Sequence, residues 1–266
     1  MTAAWSVVLP YYNETAWLRP TLESLFSQQF RGFRVILVDN VSTDGSGDLA
    51  RAIAAEHPDI ETVHLLEPRP GKINALQCGL AAVGTEFVTF CDADTFYPPH
   101  YLSRADELFA STGSVAVMAM DLPHDHEGPA AQRKRAKVMA VSRLLSKQTH
   151  TGGFGQSFRT DVLRKAGGFS ADLWSFVLED HEVMQRVFKF GTSVYAPDLW
   201  CIPSDRRKDR TGVGWTTAEQ LLYHLTPFAL KDWFFYSFLA RRFTARALDN
   251  TKLRAKTWDE GSPHVE

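Results

Sequence analysis

The 266-residue sequence has no run of the ~18–20 apolar residues that a membrane-spanning helix needs. Its first ten residues, MTAAWSVVLP, lack the basic start and long apolar core of a secretory signal. These two absences predict a chain that is soluble or, at most, lies on a membrane surface. Cysteine is scarce. Cys78, Cys91 and Cys201 are odd in number and widely spaced, which excludes a disulfide framework and a thiolate zinc site and makes a reducing cytoplasm the expected compartment. Excess charge is lacking too: the net charge of −2 argues against general nucleic-acid binding, which calls for a strongly basic balance. One absence is local. From Gly128 to Thr160 there is no Asp or Glu, while Arg133, Lys134, Arg135, Lys137, Arg143, Lys147 and Arg159 all fall there.

What is present is an ordinary globular composition, with 44% hydrophobic residues and ample material for a core. Three short strand-forming runs stand out: WSVVLP (5–10), FRVILVDN (33–40) and EFVTFCDAD (86–94). The first two are separated by ETAWLRPTLESLFSQQ, which places Trp17, Leu18, Leu22, Leu25 and Phe26 on one helical face. The second is followed by STDGSGDLARAIAAEHP, where Ser42 and Thr43 carry a helix-start signature, and by a further helical stretch over 72–83. Alternating strands and helices with near-continuous apolar strands predict an α/β fold, a parallel sheet covered on both faces.

Polar residues gather where these strands end. Tyr11, Tyr12, Asn13 and Glu14 follow the first, Asp39 and Asn40 close the second, and Asp92 and Asp94 close the third. In open α/β sheets, ligands bind beyond the carboxyl ends of the strands, so these positions are read as a ligand site. Helix capping is the alternative for each Asp and Asn. The Asp92-Ala93-Asp94 triplet is weak alone, because 18 Asp in 266 residues supply roughly one Asp-x-Asp by chance. Two carboxylates so close must be relieved by protonation or by a cation.

Six stretches in order now carry a resemblance: VVLPYYNETAWLRPTLESLFSQ, VILVDNVSTDGSGD, PGKINALQCGL, FCDADTFYPPHYL, TGGFGQSFRTDVLRKAGGF and LEDHEVMQRVFKFG. The sequence resembles the family 2 glycosyltransferases over residues 5–191, about seven tenths of the chain. The resemblance implies a GT-A fold, a Rossmann-like, mostly parallel central sheet flanked by helices, with a helical C-terminal extension. It also implies a catalytic domain over 1–205, with a nucleotide-binding half (1–100) and an acceptor half (101–205). A mobile basic loop and aromatic, basic helices would fill 206–266.

The implied activity is inverting sugar transfer from a nucleoside-diphosphate sugar, with UDP as the usual nucleotide, to a hydroxyl acceptor. Pro10, Tyr12 and Glu14 would line the nucleotide pocket, and Asp39 would accept a hydrogen bond from the base. Lys72 would approach the base or the phosphates, and Asp92 the ribose or a metal's water shell. Asp94 would ligate Mg²⁺ or Mn²⁺, hard cations often held by one or two carboxylates together with phosphate and water. Gly153 and Glu179 would border the sugar and acceptor. Asp180, at the start of a helix whose dipole favours a carboxylate, would be the general base. A dipole partner with no catalytic task is the plain alternative for such an acid.

In SDRRKDRTG (204–212), Arg206 or Arg207 would close over the diphosphate, unless the segment is a solvated loop. His181 is expected to point away from Asp180, and His124 and His126 to sit in a polar loop. His224 could reach the metal only through folding that the sequence does not specify. Residues 218–248 and the acid-free helix around 131–147 suggest a basic, aromatic surface on an anionic membrane, and with it a lipid-linked acceptor. The alternative is a helix pair packed in the core. A retaining enzyme of the same fold is a second reading, since retention needs no base. A sugar nucleotidyltransferase is a third, although PYYNETAW lacks the glycine- and arginine-rich loop such enzymes carry.

Overall fold

The apolar runs become strands because alternate side chains find a hydrophobic layer on either side. In the computed structural model, which describes residues 3–207 and 213–255, Val8, Ile36, Val38, Val88 and Phe90 enter one core layer. Val7, Leu9, Val35 and Leu37 enter the other. Each is fully or almost fully buried, a gain of ~1.5–3 kcal/mol per side chain over exposure.

The strands β1 (Trp5–Tyr11), β2 (Phe33–Asp39), β3 (Thr62–Leu66) and β4 (Phe87–Phe90) form one parallel block of the sheet. The two-residue strand β5 (Thr95–Phe96), β6 (Ala116–Asp121), β7 (Gln156–Arg159) and β8 (Ser193–Pro203) complete it, in the spatial order β3-β2-β1-β4-β7-β6-β8-β5. β7 runs antiparallel to both β4 and β6, so the sheet is mixed at its centre and mostly parallel overall. Register is strict where it matters: Tyr11 lies opposite Asp39, which brings the ends of β1 and β2 level.

Helices α1 (Thr15–Phe26), α2 (Ser46–Glu56) and α4 (Tyr101–Thr112) cover one face. On the other lie α3 (Lys72–Ala81), α6 (Thr160–Lys165) and α7 (Glu179–Val187). Helix α5 (Pro129–Leu144) differs, since Ala131 is its only buried residue. Helix α8 (Thr217–Leu225) starts on a complete capping box between Thr216 and Glu219.

The C-terminal stretch corrects one expectation. The segment 231–245 is a continuous helical run, wound wider over Phe234–Leu239, and it is not an interfacial hairpin. Phe234, Phe235, Leu239 and Phe243 are fully buried in the same core layer as α3 and α7. Trp174 meets Phe235 edge-on at 5.6 Å and Phe243 at 5.9 Å, contacts that favour packing over exposure. Among the described residues no helix is long and apolar enough to cross a membrane.

Candidate active site

A cavity of about 660 Å³ opens at the carboxyl ends of β1, β2 and β4, the volume of a typical small-molecule site. It is lined by Pro10, Tyr12, Glu14, Lys72, Asp92, Asp94, Gly153, Glu179 and Asp180, all singled out from sequence. Asp39, also singled out, is not in that lining. Asp39 accepts the Ser42 backbone N–H at 2.8 Å, closing the turn after β2, and does not cap α2, whose N-cap is Gly45. The Arg207 side chain and residues 208–212 of the basic loop lie outside the described residues.

The Asp-Ala-Asp triplet follows directly on β4, and its two carboxylates are relieved by different cations. Asp92 accepts from the Lys72 ammonium at 2.6 Å. Lys72 reaches this position as the first residue of α3, after Gly71 at φ 120°, a conformation open to glycine alone without strain. Asn40, the residue after β2, fixes the turn by accepting the Gly71 N–H at 2.9 Å. Burial works against the Lys72 charge. Asp92 and then Glu179, 3.8 Å away, outweigh it and hold the lysine above its ordinary pKa. The buried Tyr97 hydroxyl accepts the Asp92 N–H at 3.0 Å and donates to Phe154 O at 2.9 Å, tying the triplet to the glycine turn 152–155.

Asp94 is buried and faces Arg206. Its Oδ2 accepts from Arg206 Nε and from Ser204 Oγ, both at 2.9 Å. Arg206 also donates to Glu14, and its guanidinium lies 5.3 Å from the Trp17 ring centre. Arg206, one of the two arginines that sequence left open, thus lies against this wall. Arg254 stacks on Tyr12 at 3.4 Å and donates to Asn40 Oδ1 at 3.3 Å. No local signal in the tail could have placed Arg254 at a strand end some two hundred residues earlier.

The opposite wall is the start of α7. Leu178, at φ 65°, turns the chain sharply into the helix, an uncommon backbone state for a residue with a Cβ and one that clusters at functional sites. Asp180 Oδ2 accepts the Gly153 N–H at 3.2 Å. Its Oδ1 accepts the His181 N–H at 2.9 Å and meets His181 Nδ1 at 3.0 Å. His181 therefore does not point away, as helical spacing suggested. It turns back on its neighbour, with its ring centre 4.3 Å from that of His150 and 4.6 Å from that of Trp215, both in edge-to-face contact. Burial, with help from His181, pushes the His150 pKa down to about 3, so its imidazole is neutral. Glu179 is raised above the usual carboxylate range by burial, against the pull of Lys72 and with Asp180 adding to the rise.

One turn further along α7, Glu182 and Arg186 form a buried pair with contacts of 2.7 and 2.8 Å. Arg186 also donates to the Gly168 carbonyl at 2.7 Å, and Tyr236 donates to Glu182. Among the described residues no other histidine lines the cavity. His126 stacks on Trp200, and His224 is exposed and absent from the cavity lining.

Residues 6–167 match the sequence model of glycosyl transferase family 2. The chain belongs to that family. It is 32% identical over 168 residues to an uncharacterized glycosyltransferase, alr2836, of Nostoc sp., covering 60% of this chain and 52% of that protein. It is 32% identical over 123 residues to the undecaprenyl-phosphate 4-deoxy-4-formamido-L-arabinose transferase of Serratia proteamaculans, covering 44% of this chain and 38% of that one. The chain thus spans about half the length, or less, of these relatives. The mannosyltransferase PcManGT of Pyrobaculum calidifontis, solved with GDP-Man and Mn²⁺, superposes with a TM-score of 0.66 at 22% identity over 97% of this chain and 77% of that one. That likeness establishes the GT-A architecture.

Proposed function

We propose that the protein transfers a glycosyl group, with inversion, from a nucleoside-diphosphate sugar to a hydroxyl acceptor. One observation carries this reading: a single cavity holds cation-matched carboxylates on one wall and the aligned carboxylate of Asp180 on the other. Pro10 and Tyr12 are the surfaces offered to the base, with UDP as the nucleotide favoured by the sequence motifs. Lys72 is placed to meet phosphate charge. Gly153 and Glu179 border the space left for the sugar and acceptor.

Asp180 is the proposed general base. It takes the acceptor hydroxyl proton as that oxygen attacks the anomeric carbon, and the bond to the nucleotide diphosphate breaks on the opposite face. The Gly153 N–H and His181 fix its orientation, a prerequisite for efficient proton transfer.

The donor chemistry fits a divalent cation. Among the described residues no group of three acids, histidines or cysteines could hold a metal alone. Asp94 would be the protein's ligand, with phosphate and water completing the shell, as suits Mg²⁺ or Mn²⁺. The guanidinium already lying against Asp94 marks the place as one that accepts positive charge. A bound cation supplies Lewis-acid stabilisation of the leaving diphosphate.

The Serratia relative is an undecaprenyl-phosphate 4-deoxy-4-formamido-L-arabinose transferase, which favours a lipid-linked acceptor here. The three cysteines are free, as in a reducing cytoplasm, the compartment we assign. The test is transfer from a panel of nucleotide sugars with Mn²⁺ or Mg²⁺, comparing wild type with Asp94→Ala and Asp180→Ala. Wild-type turnover by either variant removes that residue's role, and retained anomeric configuration in the product, read by NMR, removes inversion.

A further inference from the structure

We infer that the end of α5 and the outer face of α8 form a docking surface for an anionic lipid bilayer. The core has claimed the aromatics of 234–243, but a different apolar patch is left outside. Leu144 is 82% exposed and Leu225 70%, and Leu221 lies one helical turn before Leu225 on the same face of α8. Leu145, Leu230 and Trp233 are also exposed. Soluble proteins seldom leave so many large apolar side chains together without use.

The two elements are joined. The Tyr223 hydroxyl of α8 donates to the Gln148 carbonyl at 3.4 Å, and Lys147 Nζ lies 4.8 Å from the ring centre of Phe228. The segment after α5 therefore lies beside the inner face of α8 and the turn after it, and the exposed leucines of α8 are on that helix's outer face.

Charge selects the occupant. Helix α5 buries Ala131 fully and only half-buries Val138 and Met139 against the core, and no acid occurs between Glu127 and Asp161. Arg133, Lys137, Arg143 and Lys147 meet no carboxylate among the described residues. Apolar side chains beside unmatched cations suit the acyl and headgroup zones of an anionic membrane. A second copy of the chain would instead bring like charges together.

The placement matters for the cavity. Ala130 and Lys134 of α5 line it, and the chain returns from the patch through His150 to Gly153, beside Asp180. A bilayer on this surface would present a lipid-borne hydroxyl near that wall, a consequence that rests on the glycosyl-transfer reading; the docking itself does not.

The experiment is co-sedimentation of the full chain with vesicles of phosphatidylcholine alone or mixed with phosphatidylglycerol, at low and high salt. Wild type should partition onto the phosphatidylglycerol vesicles, and high salt should weaken that binding. Leu144→Ser/Leu225→Ser and Lys137→Glu/Arg143→Glu/Lys147→Glu should each weaken it roughly tenfold or more. These side chains are exposed, and circular dichroism verifies folding; a blue shift of wild-type tryptophan fluorescence on vesicle addition gives a readout free of variants. No partition, equal partition by folded variants, or a concentration-dependent dimer dispersed by the leucine changes overturns the inference. Vesicle binding without any glycosyl transfer leaves it standing and removes the proposed activity. Transfer to a soluble acceptor without vesicle binding does the reverse.

Discussion

The two walls of the cavity treat their carboxylates differently. On the β4 side, Asp92 is matched by an ammonium and Asp94 by a guanidinium, each within 3 Å. On the α7 side, Asp180 is met by backbone N–H groups and an imidazole. A carboxylate paired with a mobile side-chain cation can exchange it for another cation. A carboxylate held by backbone hydrogen bonds keeps its direction, which is what proton abstraction requires. The β4 wall is thus suited to phosphate and metal, and the α7 wall to the acceptor.

The strongest way to break this division is Asp180→Asn, which keeps shape and removes basicity. Turnover should fall by about 10²–10⁴-fold while nucleotide-sugar affinity, measured by calorimetry, stays the same. Equal losses in affinity and turnover would move Asp180 to the binding side. Next comes the support of that wall. Arg186→Met leaves Glu182 buried without its guanidinium, and urea unfolding should show a loss of ~3–5 kcal/mol. A loss under 1 kcal/mol would mean that the Tyr236 hydroxyl alone satisfies Glu182. A smaller effect belongs to the β4 wall: if Arg206 holds the place of an exchangeable cation, Arg206→Gln should tighten Mn²⁺ binding to the unliganded protein roughly tenfold, about 1.4 kcal/mol. Weaker binding would make Arg206 a partner of the ligand and not its competitor.

The sequence made these two walls legible to different degrees. The β4 wall was readable because its groups sit at strand ends, where a short apolar run stops and polar residues begin. Strand β3 was missed, since TVHLL is half-exposed at the sheet edge and lacks a full apolar run. On the α7 wall, Asp180 was visible in its motif. His181 was not, because helical spacing says nothing of a side chain folding back onto the preceding residue. The pairing of Asp94 with Arg206 joins residues over a hundred positions apart, a distance at which only the fold decides contact. The aromatic tail misled for a related reason: composition cannot tell a ring that covers a membrane from one that fills the gap beside Trp174.

The mildest test concerns acid, and it separates the walls by pH alone. His150 stands behind Asp180 and His181, and its pKa is lowered from 6.5 to about 3, chiefly by burial. A group depressed in the folded state lends stability that is present above its unfolded pKa and is lost as pH falls toward the folded one. Wild-type stability should therefore decline from pH 6.5 downward, with this single group adding at most ~1.4 kcal/mol per pH unit. His150→Asn removes the titration, so its acid limb in urea unfolding should be shallower by one proton between pH 6.5 and 4. The β4 wall, with no histidine on the cavity, should contribute nothing to that difference. Parallel acid limbs would show that His150 protonates as readily folded as unfolded, and that its burial behind Asp180 and His181 does not hold it neutral.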